Sequence, residues 1–135
     1  MSAPAESPAL LTACFEATAA RVPDLPAVEV PPGKGRPQRR SLTYRQLRQE
    51  ALAVAARLAP LVAEERVVAL LLPRDSARLY AAQLGVLYAG GAYTCIDPAF
   101  PEGQVADILA DAEAAALLTD AEGAARARAL GFPAE

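Results

Sequence analysis

Residues 89–101, which read AGGAYTCIDPAFP, constrain the fold more than any other part of the chain. They follow an apolar run, and Gly90 with Gly91 predicts the end of a helix, because glycine adopts a left-handed conformation without a Cβ clash. Residues 93–96 are apolar or β-prone, which predicts a buried strand. Pro98 ends that strand, because proline lacks the N–H that a sheet requires and restricts the residue before it.

The pattern around this segment alternates apolar strands with helices. Pro101 suits the first turn of the helix that follows the segment. A β-α-β-α-β order predicts an α/β fold whose parallel sheet carries flanking helices on both faces. The predicted strands are 67–72, 92–96 and 115–118, and the predicted helices are 75–89, 102–113 and 121–130.

The N-terminal third predicts a helix over 8–21 and then a small hairpin. Strand 27–30 and a β-prone stretch at 41–43 flank loop 31–40, which is rich in proline, glycine and charge and is expected to be solvent-exposed. A helix over 44–60 follows. Its first turn has the sequence of a capping box, with Thr43 as the cap and Gln46 as the reciprocal partner.

Composition limits the function classes. At 135 residues the chain is one domain or part of one, and its 53 % hydrophobic but 5 % aromatic content predicts a core of alanine, leucine and valine. The net charge of −3 argues against nucleic-acid binding. We expect a cytoplasmic protein without a membrane span or secretory signal. The lack of histidine excludes histidine triads and ligands, and Cys14 and Cys95 are expected to be small buried thiols.

Two glycine patterns invite a phosphate-binding interpretation. The loop Gly33-Lys34-Gly35 lacks the remaining residues of either phosphate-binding pattern, so a solvated loop is favoured over weak anion or partner contact. Gly85 and Gly90 have Walker spacing. However, Gly91 and Ala92 stand where lysine and serine or threonine would be needed, so Gly85 is expected to allow close helix packing instead.

Charged side chains give no catalytic, cofactor-binding or metal-binding assignment. A cluster of basic residues favours a solvated face over contact with an acidic carrier protein. Asp107 and Asp111 are expected to be surface charges rather than metal ligands. The basic cluster comprises Lys34, Arg36, Arg39, Arg40, Arg45 and Arg48.

Three segments together resemble a known family. Residues 87–101 resemble the second core motif of nonribosomal peptide synthetase adenylation domains, 41–47 resemble the first, and 67–74 resemble the strand between them. These domains belong to the superfamily of acyl-CoA synthetases, adenylation domains and luciferases. The resemblance implies a structural role for the motif residues Leu42, Thr43, Tyr44, Gly90, Gly91, Ala92, Tyr93, Asp97 and Pro98.

The chain departs from the family pattern at several positions. Tyr88 stands where lysine is usual, Thr94 and Cys95 stand where valine and proline are usual, and Gln46 stands where glutamate is usual. Residues 101–104 lack the arginine of the usual helix start. These departures concern the subfamily and not the fold.

The resemblance also implies a function for the complete family domain. Such domains use ATP and Mg²⁺ to activate a carboxylic acid, typically an amino acid, and pass the acyl group to a phosphopantetheine thiol on a carrier. The family's phosphate loop does not occur in residues 1–135, so we expect an N-terminal fragment of an adenylation domain, the first subdomain portion of an adenylate-forming enzyme. Alone it would be inactive and hold no cofactor.

The expected partner is the remainder of the domain or a complementing chain, with a carrier protein as a further possibility. Two alternatives come from other classes of protein. One is a free-standing binding module with its ligand at the carboxyl ends of strands 67–72 and 92–96. The other is an interaction domain whose loop 33–40 docks an acidic carrier protein.

Overall fold

The computed structural model describes residues 10–62 and 66–132. Within them the chain forms an α/β fold with a small N-terminal helix and hairpin. The helix predicted over 8–21 begins at Leu11, and residues 8 and 9 lie outside the described residues. The elements are α1 (Leu11–Arg21), β1 (Pro26–Val30), β2 (Arg40–Thr43), α2 (Tyr44–Leu58), β3 (Val67–Leu71), α3 (Ala77–Tyr88), β4 (Ala92–Ile96), α4 (Glu102–Ala112), β5 (Ala116–Thr119) and α5 (Ala121–Ala129).

The parallel sheet has the strand order β4-β3-β5. Strand β3 lies in the centre, where Val67 is in register with Ala92 of β4 and Val68 is in register with Ala116 of β5. A strand covered on both faces is a continuous apolar run, which is the pattern of residues 67–72. The predicted parallel β-α-β-α-β sheet is therefore confirmed.

Each face of the sheet carries its own core. On one face, Val68 and Leu70 of β3 pack with residues of α2 and α3, including Val86. On the other face, Leu71 of β3 and Ile96 of β4 pack with Val105 of α4. The expected helices on both faces are thus present, and the sheet is the layer that they share.

The hairpin and α2 form as their local sequence predicts. Strands β1 and β2 pair antiparallel around loop 31–40. At the start of α2, the backbone N–H of Gln46 donates to Thr43 Oγ1 at 3.2 Å, and the N–H of Thr43 donates to Gln46 Oε1 at 2.9 Å. Both halves of the capping box are therefore made.

Three glycines have a structural role: Gly90 ends a helix, and Gly85 and Gly91 let neighbouring parts of the chain pack closely. Gly90 ends α3 with φ at 86°, as predicted for the helix-ending position. A Cβ on Gly91 would lie 2.7 Å from Val62 Cγ1, and one on Gly85 would lie 2.5 Å from Val54 Cγ1. Gly85 therefore lets α2 and α3 pack closely, which confirms the packing interpretation.

Strand β4 is less buried than the sequence indicates. Only Ile96 of this strand is buried, whereas Tyr93 and Cys95 are exposed, because β4 lies at the edge of the sheet. The prediction that Cys14 and Cys95 are buried is wrong, since both thiols are exposed. Apolar content could not reveal this exposure, because it does not specify which face of a strand is covered. Among the described residues, Gln83 contacts the thiol, with its Nε2 3.3 Å from the Cys95 sulfur.

The remaining features of the fold are the start of α4 and the length of the helices. Helix α4 begins at Glu102, as predicted, and Pro101 occupies the N-cap position, one residue before the first turn in which the sequence placed it. Among the described residues, no helix has the length and apolar character that a bilayer crossing requires.

We predict that Ile96→Asp unfolds the chain and that Cys95→Asp does not. Ile96 is 1 % exposed, and an uncompensated carboxylate there costs several kcal/mol, on the order of the whole stability of a small domain. Cys95 is the adjacent residue, and its side chain is exposed on the opposite face of β4. Thermal unfolding compares the two variants. Equal melting temperatures would contradict the burial of Ile96 in the sheet.

Candidate functional site

The carboxyl ends of β3, β4 and β5 meet at one edge of the sheet. In open α/β folds, ligands bind in the crevice at this edge. Polar residues follow each strand: Arg74 comes after β3, Asp97 after β4 and Asp120 after β5. This edge is the candidate site, and its geometry decides whether these groups are available to a ligand.

Asp97 builds the turn that follows β4. Its Oδ1 accepts from the N–H of Ala99 at 2.9 Å, and its carbonyl oxygen accepts from the N–H of Phe100 at 3.0 Å. The remaining oxygen, Oδ2, lies 3.7 Å from Nε of Arg74, whose side chain is 85 % exposed. One carboxylate oxygen and the carbonyl oxygen of Asp97 therefore stabilise the turn, and Pro98 fixes the bend.

Arg126 of α5 holds the same turn from the other side. Its guanidinium donates to the carbonyl oxygens of Pro98 at 2.6 Å and Phe100 at 3.0 Å, and to Glu102 Oε1 at 3.0 Å. Sequence reasoning missed this residue. The signal is weak: Arg126 follows Gly123 by three residues and so shares a face with it in an alanine-rich helix.

The end of β5 is also closed by internal contacts. Thr119 Oγ1 donates to the carbonyl oxygen of Leu71 at 2.8 Å, which ties β5 to β3. Asp120 caps α5 by accepting from the N–H of Gly123 at 2.8 Å. A Cβ on Gly123 would overlap the Thr119 side chain. The polar groups at this edge therefore stabilise loops, and Arg74 is the most exposed of them.

The other candidate anion site is a tight turn. The N–H of Gly33 donates to the carbonyl of Arg36, and the N–H of Arg36 donates back to Gly33, both at 2.9 Å. Gly35 has φ at 77°, which the turn requires. These two amides bond within the turn and are not available to a phosphate. Among residues 10–62 and 66–132, no acidic or cysteine cluster could hold a metal ion.

The basic cluster is largely neutralised within the chain. Four of its six members form ion pairs, three of them with carboxylates that lie more than twenty residues away in sequence. Surface pairs of this kind contribute little to stability, yet they reduce the free positive charge that an acidic partner would meet. The pairs are Arg36 with Asp75, Arg39 with Glu29, Arg45 with Asp24 and Arg48 with Glu16.

A polar cluster joins the three N-terminal helices. Glu16 of α1 accepts from the Tyr88 hydroxyl of α3 and, at 2.7 Å, from Nε of Arg48 of α2. The Tyr88 hydrogen bond and the Arg48 guanidinium lower the pKa of Glu16. Burial, together with the bond to Glu16, raises the pKa of Tyr88. Tyr88, a departure from the family pattern, thus anchors α1.

An open apolar groove of about 350 Å³ lies beside β4. The structure brings the tyrosines of the two sequence motifs, Tyr44 and Tyr93, together in its lining. The Phe15 ring packs beside Tyr44, with centroids 6.0 Å apart. The remaining motif residues lie elsewhere. Leu42 and Thr43 end β2, Gly90 and Gly91 precede β4, Ala92 begins it, and Asp97 and Pro98 follow it.

Comparison with known proteins identifies the family. The AMP-binding enzyme family matches residues 15–132. The AMB antimetabolite synthetase AmbB of Pseudomonas aeruginosa is 44 % identical over 130 residues, which cover 96 % of this chain and 10 % of AmbB. The chain belongs to the AMP-binding enzyme family. It spans about a tenth of the length of this curated relative.

Solved structures agree with that assignment. The nonribosomal peptide synthetase FmoA3, bound to α-methyl-L-serine-AMP, superimposes with a TM-score of 0.77 at 32 % identity, over 98 % of this chain and 14 % of FmoA3. The N-terminal subdomain of Klebsiella oxytoca NpsA gives 0.71 at 26 % identity, over 83 % of this chain and 28 % of that one. The chain is the N-terminal part of an adenylation domain of the nonribosomal peptide synthetase type.

We predict that Arg126→Ala loosens the turn at 97–100. Loss of charged donors to two carbonyls costs about 1–3 kcal/mol. Arg126→Lys should rescue little, because an ammonium cannot reproduce the planar fork that reaches both oxygens. Hydrogen exchange at the N–H of Ala99 and Phe100 measures the effect. The exposed Arg128→Ala is the control, and equal exchange in both alanine variants would contradict the role assigned to Arg126.

We predict that Tyr88→Phe weakens the acid dependence of stability. The pKa of Glu16 is lower in the folded state, so its contribution is complete above the unfolded pKa of about 4.3 and is lost as the pH falls through the folded value. Removing the hydroxyl brings the two values closer. Urea unfolding between neutral pH and about pH 3 tests this, with Tyr80→Phe as the control. Identical pH profiles for both variants would refute the assignment.

Proposed function

We propose that this chain forms the structural front portion of an ATP-dependent adenylating ligase. The complete domain would activate an amino acid or another carboxylic acid as an acyl-adenylate and release pyrophosphate. It would then pass the acyl group to a phosphopantetheine thiol on a carrier. We infer a cytoplasmic location, because ATP is supplied there.

The observation that carries the proposal is the similarity to AmbB along almost the whole chain, at 44 % identity over 96 % of it. The bound acyl-adenylate, α-methyl-L-serine-AMP, belongs to FmoA3. Its similarity to this chain, at 32 % identity, supports adenylate formation by the complete domain.

The chain by itself is proposed to be inactive. Phosphoryl and adenylyl transfer need several donors preorganised around the phosphates. At the carboxyl edge of the sheet, Asp97, Asp120 and Arg126 are engaged in turns and caps. The described residues also contain no group of three or more acidic or cysteine side chains that could hold a metal ion. This part of the domain therefore supplies the sheet and loops on which a site is built.

The two alternative functions have less support. A free-standing module would bind its ligand at the carboxyl edge of the sheet. There the Arg126 guanidinium is already hydrogen-bonded to carbonyl oxygens of the turn at 97–100. Carrier-protein docking through loop 33–40 would rely on its positive charge. Two of the arginines there, Arg36 and Arg39, already form ion pairs with Asp75 and Glu29 of the same chain.

We expect no amino-acid-dependent exchange between pyrophosphate and ATP from the isolated chain, and no micromolar ATP binding by calorimetry. We expect exchange to persist in AmbB when this chain replaces the segment aligned with it. The reason is that 44 % identity over that segment preserves the contacts that position the site.

The matched control is the same replacement carrying Ile96→Asp, which should abolish exchange by unfolding the sheet. A folded replacement that retains ATP binding but supports no exchange with any amino acid would refute the ligase proposal. Tight ATP binding by the isolated chain would favour the free-standing module.

A further inference from the structure

We propose that helix α1 opens and closes on the rest of the fold as one unit, and that the ionised carboxylate of Glu16 holds it closed. Opening would leave the parallel sheet and its two cores intact and would expose the apolar surface beneath α1. This motion would be a property of the chain itself, whichever reaction the complete domain performs, and so goes beyond the proposed function.

Helix α1 has fewer buried contacts than the helix against which it lies. Of its 11 residues only Ala19 is buried, whereas five residues of α3 are buried. Among the described residues, no backbone group of α1 bonds to another helix or strand. A helix of this length is marginal in water by itself, and segments with few buried contacts open locally. The closed position of α1 therefore depends on a small number of side-chain contacts.

The chain directly after α1 is fixed to the start of α2. The carbonyl of Pro23 accepts from the N–H of Arg45 at 2.9 Å, and the carbonyl of Leu25 accepts from the N–H of Tyr44 at 3.1 Å. Val22, between α1 and these bonds, already has non-helical torsion angles, with φ −134° and ψ 59°. Helix α1 can therefore turn outward at Val22 without breaking the hairpin or the first turn of α2.

One carboxylate oxygen joins α1 to both neighbouring helices. Glu16 Oε1 accepts from Nε of Arg48 on α2 at 2.7 Å and from the hydroxyl of Tyr88 on α3. Hydrogen bonds to an ionised group are about twice as strong as neutral ones. The Glu16 side chain is 39 % exposed, so a proton reaches it without prior unfolding. Because both bonds end at the same atom, protonation of this carboxyl group weakens the two together.

The groups around Glu16 favour its ionised form. Arg45 and Arg48 of α2 line the same cleft as Glu16, and Tyr88 faces it from α3. Arg45 is itself paired with Asp24 at 3.2 Å, beside the pivot. The Tyr88 hydrogen bond and then Arg48 lower the pKa of Glu16, while the pKa of Tyr88 is raised. In the acid range the group that titrates within this cluster is therefore Glu16.

Closed α1 covers one side of an apolar cluster that includes Val28 of the hairpin and Leu47 of α2. Phe15 packs against this cluster, and its ring lies edge-on to Tyr88 with centroids 6.5 Å apart. Leu11 and Phe15 also form the α1 side of the open groove. Release of α1 would therefore widen the groove and expose part of the cluster.

The direction of the pH effect follows from the lowered pKa. The closed state is stabilised fully above the pKa of Glu16 in the open helix, about 4.3 for a free glutamate, and this stabilisation is lost as the pH falls through the lower pKa of the closed state. The cores on β3 respond differently, because the buried side chains of the described residues include no polar or charged group. Acid should therefore open α1 before it unfolds the sheet.

Native-state hydrogen exchange separates the two motions. Protection factors, which remove the intrinsic effect of pH on exchange, are measured in α1 and β3 of the 135-residue chain from neutral pH to about pH 3. We expect protection in α1 to fall by about tenfold or more while protection in β3 stays constant. Glu16→Gln keeps the shape but cannot ionise, so its α1 should show low protection at every pH.

Two further variants complete the comparison. Tyr88→Phe removes one of the two bonds and leaves the carboxylate, so it should lower the protection of α1 at neutral pH, and it serves if Glu16→Gln fails to fold. Glu29→Gln is the matched control, because it removes a glutamate that is ion-paired with Arg39 on the hairpin. It should leave the protection of α1 and its pH dependence unchanged.

Three results would overturn the proposal. Protection that falls in parallel in α1 and β3 would mean that the chain opens as one cooperative unit. An unchanged pH profile of α1 in the folded Glu16 or Tyr88 variant would mean that this carboxylate does not hold the helix. Unprotected α1 amides at neutral pH would mean that the helix is not closed at all.

Discussion

The cores on the two faces of the parallel sheet depend on the burial of one strand, β3. Val68 and Leu70 face α2 and α3, while Ala69 and Leu71 face α4, and all four side chains are almost wholly removed from water. The hydrophobic effect on the two faces therefore acts through four consecutive residues of one strand. Because β3 also pairs with both neighbouring strands, its displacement would disrupt the ladder and the two helix layers together.

An alanine-rich composition makes close backbone approach the second requirement. With few aromatic side chains to span gaps, helices must lie near one another for their small side chains to touch. Gly85 allows this between α2 and α3, where even a methyl group would overlap Val54. Gly91 does the same beside Val62 where the chain enters β4. These two positions allow close packing on the α2 and α3 face of the sheet in a chain with 5 % aromatic residues.

The carboxyl end and the outer side of β4 differ in whether their polar groups are hydrogen-bonded within the described residues. At its carboxyl end, Asp97 Oδ1 and the Arg126 guanidinium are hydrogen-bonded to the loop at 97–100. Along its outer side, the backbone at Tyr93 and Cys95 has no strand partner among the described residues, and an uncharged groove adjoins it.

The sequence by itself determined the features that depend on neighbouring residues. Helical and strand periodicity, the Thr43–Gln46 capping box and the left-handed Gly90 follow from local sterics and hydrogen bonding, and the motif order indicated the family. Tertiary structure alone decided the exposure of Cys95 and the attachment of Arg126 to the turn at 97–100. Those outcomes depend on strand order: only when β4 lies at the edge is its outer side uncovered, and a one-dimensional pattern does not specify which strand takes that place.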